Sequence, residues 1–313
     1  MGKVFILVNC PSERSNSAGD RRPRRDLKAR WDDMTETRRS VPWTRQTRAF
    51  TRRHVQQLRR NKLLVVLAVG WPVLWYFLTM AFFIEDVPAG DLQYVKAANG
   101  ISYGLFGAFT VTVAVFAGEF ARDLESDRYR KLRAMPVSPT ADLTGRFVAG
   151  MALGAISYLV TILAAVAHGG RFDLLAMDAT AVAALVAVLV ATFVLFCVIA
   201  MALAMLLALV ITKPEHMTTI AVVVVLMAFY LTGFNGVTPG MIADDPTFIN
   251  YVPNSLATRM QLAAWAGADD VAFMTPPAVP LSFEYGGLLV GYTVGLAAVA
   301  VGIMRRFAYG GDP

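Results

Sequence analysis

The chain alternates long uncharged apolar stretches with shorter charged ones, and it lacks the residue-by-residue alternation of a half-buried strand. The uncharged stretches are 63–84, 101–118, 147–167, 179–211, 217–235 and 285–304. A hydrocarbon core about 30 Å thick requires roughly 20 apolar residues as helix. The pattern therefore predicts an all-α, polytopic membrane fold with six transmembrane helices. The fourth stretch reaches about 50 Å at 1.5 Å per residue, so it must tilt or project beyond the bilayer. No polar turn divides it into two spans. Pro72 lies inside the first stretch and is expected to kink it.

Two charged segments carry their own helical pattern. Before the first span, Trp43, Phe50, His54 and Leu58 recur at intervals that form one stripe, while Arg45, Arg48, Arg52, Arg53, Arg59, Arg60 and Lys62 fill the remaining surface. This predicts an amphipathic elbow helix over 42–62, lying along the membrane interface with Trp43, Phe50 and Leu58 in the acyl boundary and arginines near anionic headgroups. Between the second and third spans, Leu124, Tyr129 and Leu132 mark a short amphipathic helix at about 123–134. Acids precede bases along it, as a helix dipole favours. Pro136 and Pro139 stop it, and Ser138 with Asp142 can start the next helix.

Composition sharpens the membrane reading. Of 313 residues, 56% are hydrophobic and 17% charged, against roughly 25% charged in soluble domains. The net charge of +6 is less informative than its placement. Lys and Arg outside the spans number 26 on one side and 3 on the other, a strong positive-inside bias. Both termini are therefore expected in the cytoplasm of a multi-pass protein of the cell membrane. Residues 1–41 read as a disordered basic tail, with Met34 as a possible true start, and 307–313 as a short cytoplasmic tail. Cys10 and Cys197 are not expected to pair.

The chemistry that is missing narrows the function. The six apolar cores contain no Asp, Glu, Lys, Arg or His, groups that ion-coupled carriers keep at membrane depth. The three histidines, His54, His168 and His216, are predicted at different levels and cannot share a metal. No phosphate-binding G-x-x-x-x-G-K-[ST] loop occurs. The chain is thus expected to be no enzyme, to hold no cofactor of its own, and to take free energy for any uphill movement from a partner. Gly100/Gly104, Gly150/Gly154, Gly287/Gly291 and Gly291/Gly295 have the spacing of close helix contacts.

An elbow helix, six spans, a charged inner helix after the second span and a large outer loop before the sixth together resemble the membrane (permease) subunit of type 2 ATP-binding-cassette exporters, over residues 42–306. In the inner loop Glu125, Leu132, Pro136, Val137, Ser138 and Gly145 match the family's pattern; Asp127-Arg128 replaces its Gly-Thr, Arg130 stands where an acid is common, and Arg146 replaces its Lys. In the outer loop Gly233, Pro239, Pro246 and the run 248–261, with Pro253 and Arg259, are similar to a segment that folds back into the outer leaflet, here 236–284. The resemblance implies an ATPase-coupling role for Leu124, Glu125, Tyr129, Leu132 and Pro136. It implies a separate ABC ATPase partner holding ATP-Mg, a second permease copy or paralogue, and contact with membrane lipids. No nucleic-acid partner is expected. The implied activity is export of a lipid-like, drug-like or glycan cargo; the rival reading is a membrane scaffold or receptor without transport.

Overall fold

The computed structural model describes residues 41–85, 87–126, 128–133, 135, 137–211, 213–239, 246–267 and 280–306. The expected basic tail up to residue 40, the alternative start at Met34 and the tail 307–313 lie outside the described residues. So does Pro136 of the inner loop.

The described residues form helices, with no strand among them. In chain order these are α1 Trp43–Arg60, α2 Lys62–Phe82, α3 Leu92–Thr110, α4 Phe116–Glu125, α5 Arg128–Arg133, α6 Pro139–Ala167, α7 Ala179–Val210, α8 Pro214–Leu231, α9 Pro253–Ala266 and α10 Phe283–Met304. Among them, five stretches are long and apolar enough to cross a membrane: Val65–Phe82 in α2, the continuous rod Leu92–Glu125, α6, α7 and α10. The all-α membrane fold expected from the pattern is the one observed.

The stretch expected as the fifth span, 217–235, is a shorter helix. At 18 residues α8 reaches about 27 Å. It ends because the Thr232 hydroxyl donates back to the Ala228 carbonyl at 2.9 Å and Gly233 turns left-handed at φ +59°. Phe234 and Asn235 continue in that left-handed region at φ +51° and +56°, which non-glycine residues seldom occupy. A Cβ on Gly233 would lie 2.4 Å from the Thr238 carbonyl oxygen, so only glycine fits this turn.

The second span is longer than its uncharged core. α3 and α4 form one rod of 34 residues, joined by a π-helical turn at Val111–Val115. The hydroxyls of Thr110 and Thr112 donate to the carbonyls four residues back, Phe106 and Ala108, both at 2.8 Å. Hydroxyls that compete for backbone carbonyls in this way loosen or bend a helix.

This rod is the centre of the bundle. Some 83% of its apolar window is buried inside the chain, against 17–33% for the other long helices. Small residues on it let α6 close in: a Cβ on Gly100 would meet Ala165 Cβ at 2.6 Å, and one on Gly104 would meet Tyr158 at 2.7 Å. Gly107 accommodates Pro72 of α2 in the same way, at 2.7 Å. By contrast, Gly287, Gly291 and Gly295 of α10 have nothing within 4 Å. Away from α1, aromatic rings fill the core, with Phe106 and Phe229 centroids 4.4 Å apart and Tyr103 4.9 Å from Phe229.

Candidate functional site

The end of the bundle that carries α1 holds a buried cluster of charged side chains drawn from four elements. α1 supplies His54, α4 supplies Glu119 and Asp123, α5 supplies Arg128, and α6 supplies Asp142 and Arg146. Arg146 and Asp142 are fully buried and His54 is 1% exposed. Arg146 Nε donates to Asp142 Oδ2 at 3.1 Å, its Nη2 donates to Asp123, and its Nη1 lies 3.7 Å from Glu119 Oε2. Arg128 spans Asp123 Oδ2 at 2.7 Å and Asp142 Oδ1 at 3.4 Å. The Phe120 ring covers the Arg146 guanidinium, its centroid 5.0 Å away. Three carboxylates thus face two guanidiniums and one imidazole.

His54 completes the balance. Its two ring nitrogens lie 3.5 Å from Glu119 Oε2 and 3.5 Å from Asp142 Oδ1. Burial alone lowers the imidazole's affinity for a proton, and Arg146 does so as well; the facing Asp142 and Glu119 carboxylates outweigh both and raise its pKa above the ordinary 6.5. A protonated His54 makes the cluster neutral. Burying such charges is costly unless each is paired, so the cluster holds its four elements in one arrangement rather than adding much net stability.

Part of the apolar stripe of α1 faces protein here. His54 and Leu58 are buried, and Phe50 packs on α6, where a Cβ on Gly145 would lie 2.6 Å from Phe50 Cβ and 2.9 Å from the Thr51 amide nitrogen. Trp43 is 45% exposed, but its indole N–H donates to Thr140 Oγ1 at 3.1 Å. Gln46 Oε1 accepts from the Ser138 amide at 2.7 Å. The arginines of α1 remain exposed.

The inner helix expected over 123–134 is divided. Leu124 and Glu125 end α4, whereas Tyr129 and Leu132 belong to α5. Tyr129 and Leu132 are 3% and 7% exposed and join the main hydrophobic core, with Leu124 packed against it. The stripe therefore fastens α5 to the bundle. What this end presents outward is Arg122, Glu125, Ser126 and Met135, beside Lys213, Glu215 and His216 from the turn before α8.

At the opposite end, Pro246 opens a 3-10 turn over Pro246–Tyr251 and Pro253 opens α9. α9 packs against α7 and the turn after α8. Arg259 is fully buried; its Nε donates to Asn250 Oδ1 at 2.6 Å and its Nη1 to the Gly236 carbonyl at 3.1 Å. Asn254 donates to Thr232 Oγ1 at 2.8 Å and Asn235 Oδ1 at 2.7 Å. The acids Asp244, Asp245, Asp269 and Asp270 of the expected outer loop lie outside the described residues.

A cleft of about 730 Å³ lies beside the charged cluster, between the end of α1, α2, the central rod and α8. Its wall is apolar at depth, with Trp71, Val111 and Val115. Its mouth is polar, with Gln57, Glu119, Arg122 and Thr218. The π-helical turn forms part of the wall, and such turns often mark functional positions in helices. Among the described residues no group of three or more His, Cys, Asp or Glu side chains is placed to hold a metal ion.

The model of the family described as ABC-2 type transporter matches residues 45–245, from the third residue of α1 to beyond the left-handed turn after α8. Comparison with curated proteins gives no match.

Proposed function

This chain belongs to the ABC-2 type transporter family, and from that premise we propose that it is the exporting half of a two-part machine whose ATPase is a separate chain. As a member of the family it is a membrane permease of an ABC transporter. The finer reading is that two permease copies, or this chain and a paralogue, enclose the path, and that ATP-Mg binds and is hydrolysed in the partner. On this reading the α1 end is cytoplasmic, α8 serves as a shorter fifth span, and α9 dips into the outer leaflet without crossing.

The observation that carries the reading is the buried charged cluster. It ties α1, the central rod, α5 and α6 into one block at the end where a cytosolic ATPase would push. A block held by paired buried charges moves as a unit, because separating any one member exposes an uncompensated charge. Outward-facing Glu125 and Met135 supply docking contacts, while Tyr129 and Leu132 pass the motion inward. The cargo is lipid-like, drug-like or a glycan, in keeping with apolar walls around a cleft of this size.

The test is co-reconstitution of the chain with the ABC ATPase that co-purifies with it. ATP-dependent cargo movement that stops when either chain is left out is the expected result. A chain that binds no ATPase and moves nothing is a scaffold or receptor instead.

A further inference from the structure

We propose that the cleft at the α1 end binds a lipid with an anionic headgroup, taken from the cytoplasmic leaflet; this rests on the permease reading above.

The geometry is that of a single leaflet. Measured along the central rod, the cleft runs from Arg122 at its mouth to Thr110 at its depth, twelve residues or about 18 Å of helix. Half of a hydrocarbon core of about 30 Å is a similar length. Polarity falls in the same direction. Arg122, Gln57 and Thr218 lie toward the mouth, while the buried or half-buried Trp71, Val111 and Val115 form the deep wall. An acyl chain fits that wall without polar partners.

The charge at the mouth selects the headgroup. Its acids, Glu119 and Asp123, are engaged by His54, Arg128 and Arg146. Arg128 is held in turn by Asp123 and Asp142. Arg122 is exposed and has no ion pair among the described residues. On its other side Arg122 lines a smaller pocket with Glu125, Lys213 and Glu215. Of the charged residues that line the cleft itself, Arg122 is the one with no ion pair among the described residues, and it complements a phosphate monoester or diester and not a cationic amine. A glycan would leave the apolar wall unfilled, and a cationic drug would meet Arg122.

The experiment uses the permease–ATPase complex in vesicles containing a trace of phosphatidic acid or phosphatidylcholine, each with a photoreactive diazirine in one acyl chain. Illumination followed by peptide mapping should place the phosphatidic acid label on Trp71, Val111 and Val115. Arg122→Gln should cut that labelling by about fivefold, the factor for one basic residue near an anionic surface, and Arg122→Lys should restore most of it. Phosphatidylcholine labelling should be low and unaffected by either change. Equal labelling by both lipids overturns the anionic selectivity. Labels confined to outward residues such as Leu159 and Leu163 overturn the site. ATP hydrolysis by the same vesicles is read alongside: hydrolysis without cleft labelling defeats this inference and leaves the permease reading standing, and cleft labelling on a chain that captures no ATPase does the reverse.

Discussion

Arg146 decides more than any other single residue at the α1 end. It touches Asp142, Asp123 and Glu119 from full burial, so Arg146→Met leaves three carboxylates with one guanidinium and an imidazole. Breaking a buried pair by removing one partner costs about 3–5 kcal/mol, and the Tm of the purified protein should fall accordingly; a Tm within a degree of wild type would mean the cluster contributes little. His54 gives the cluster a pH dependence. Its raised pKa means that the proton's contribution to stability is complete below about 6.5 and is lost as pH rises through the raised value. Wild-type Tm should therefore fall across that alkaline range. His54→Gln should be flat there, and parallel curves for the two proteins would refute the assignment. None of this was legible from spacing. Asp142 and Arg146 stand four apart on one helix, a pattern that usually marks a solvent-exposed pair. Only the packing of α1 and α4 over them turns it into a buried one. Arg128 and Arg146, two positions where the chain departs from the family pattern it resembles, supply both guanidiniums.

Among the elements, α1 and α5 are the ones whose roles the sequence half conceals. The stripe of Trp43, Phe50, His54 and Leu58 was readable as helical. A stripe has no label for what covers it, and here α6 covers part of it. Gly145 permits that contact, so Gly145→Leu should push α1 from α6, cost about 1–3 kcal/mol by overpacking, and lower partner ATPase stimulation. Gly291→Leu, on the open face of α10, is the comparison and should leave Tm unchanged. An equal loss in both variants would show that the Gly145 contact is not special. Tyr129 makes the same point for α5. Because it is buried, Tyr129→Asp should loosen α5 from the bundle and uncouple hydrolysis from transport, while membrane insertion proceeds normally. Full transport by this variant would remove α5 from the coupling path. The end of α8 is hidden in the sequence for a local reason: Thr232 and Asn235 look tolerable within an apolar span, and the left-handed turn begun by Gly233 depends on Thr238 and on Ser102, which donates to the Phe234 carbonyl 132 residues later in the chain.

For the whole molecule, the apolar stretches alone delivered the fold class and three of the long spans within a few residues, because bilayer thickness sets a length that sequence must meet. The central position of the second span was not visible in its hydropathy; its Gly and Ser content was the available signal, and the close approaches of α2 and α6 give it meaning. The charge asymmetry places the α1 end in the cytoplasm on the proposed reading. Single cysteines introduced at Gln56 and at Phe283, both exposed, should react with a membrane-impermeant reagent from opposite sides of sealed vesicles, and labelling from the same side would invert that reading.

The central claim is that a bundle without its own energy source is driven by a separate ATPase through the charged block at its α1 end. The most direct measurement is cargo movement per ATP hydrolysed in vesicles holding the chain and its co-purifying ATPase, with a panel of fluorescent lipids, glycans and drugs. At least one cargo should move in proportion to hydrolysis, and the ratio should collapse in Arg146→Met while the complex stays assembled. Movement by this chain alone, with no nucleotide consumed, would contradict the account.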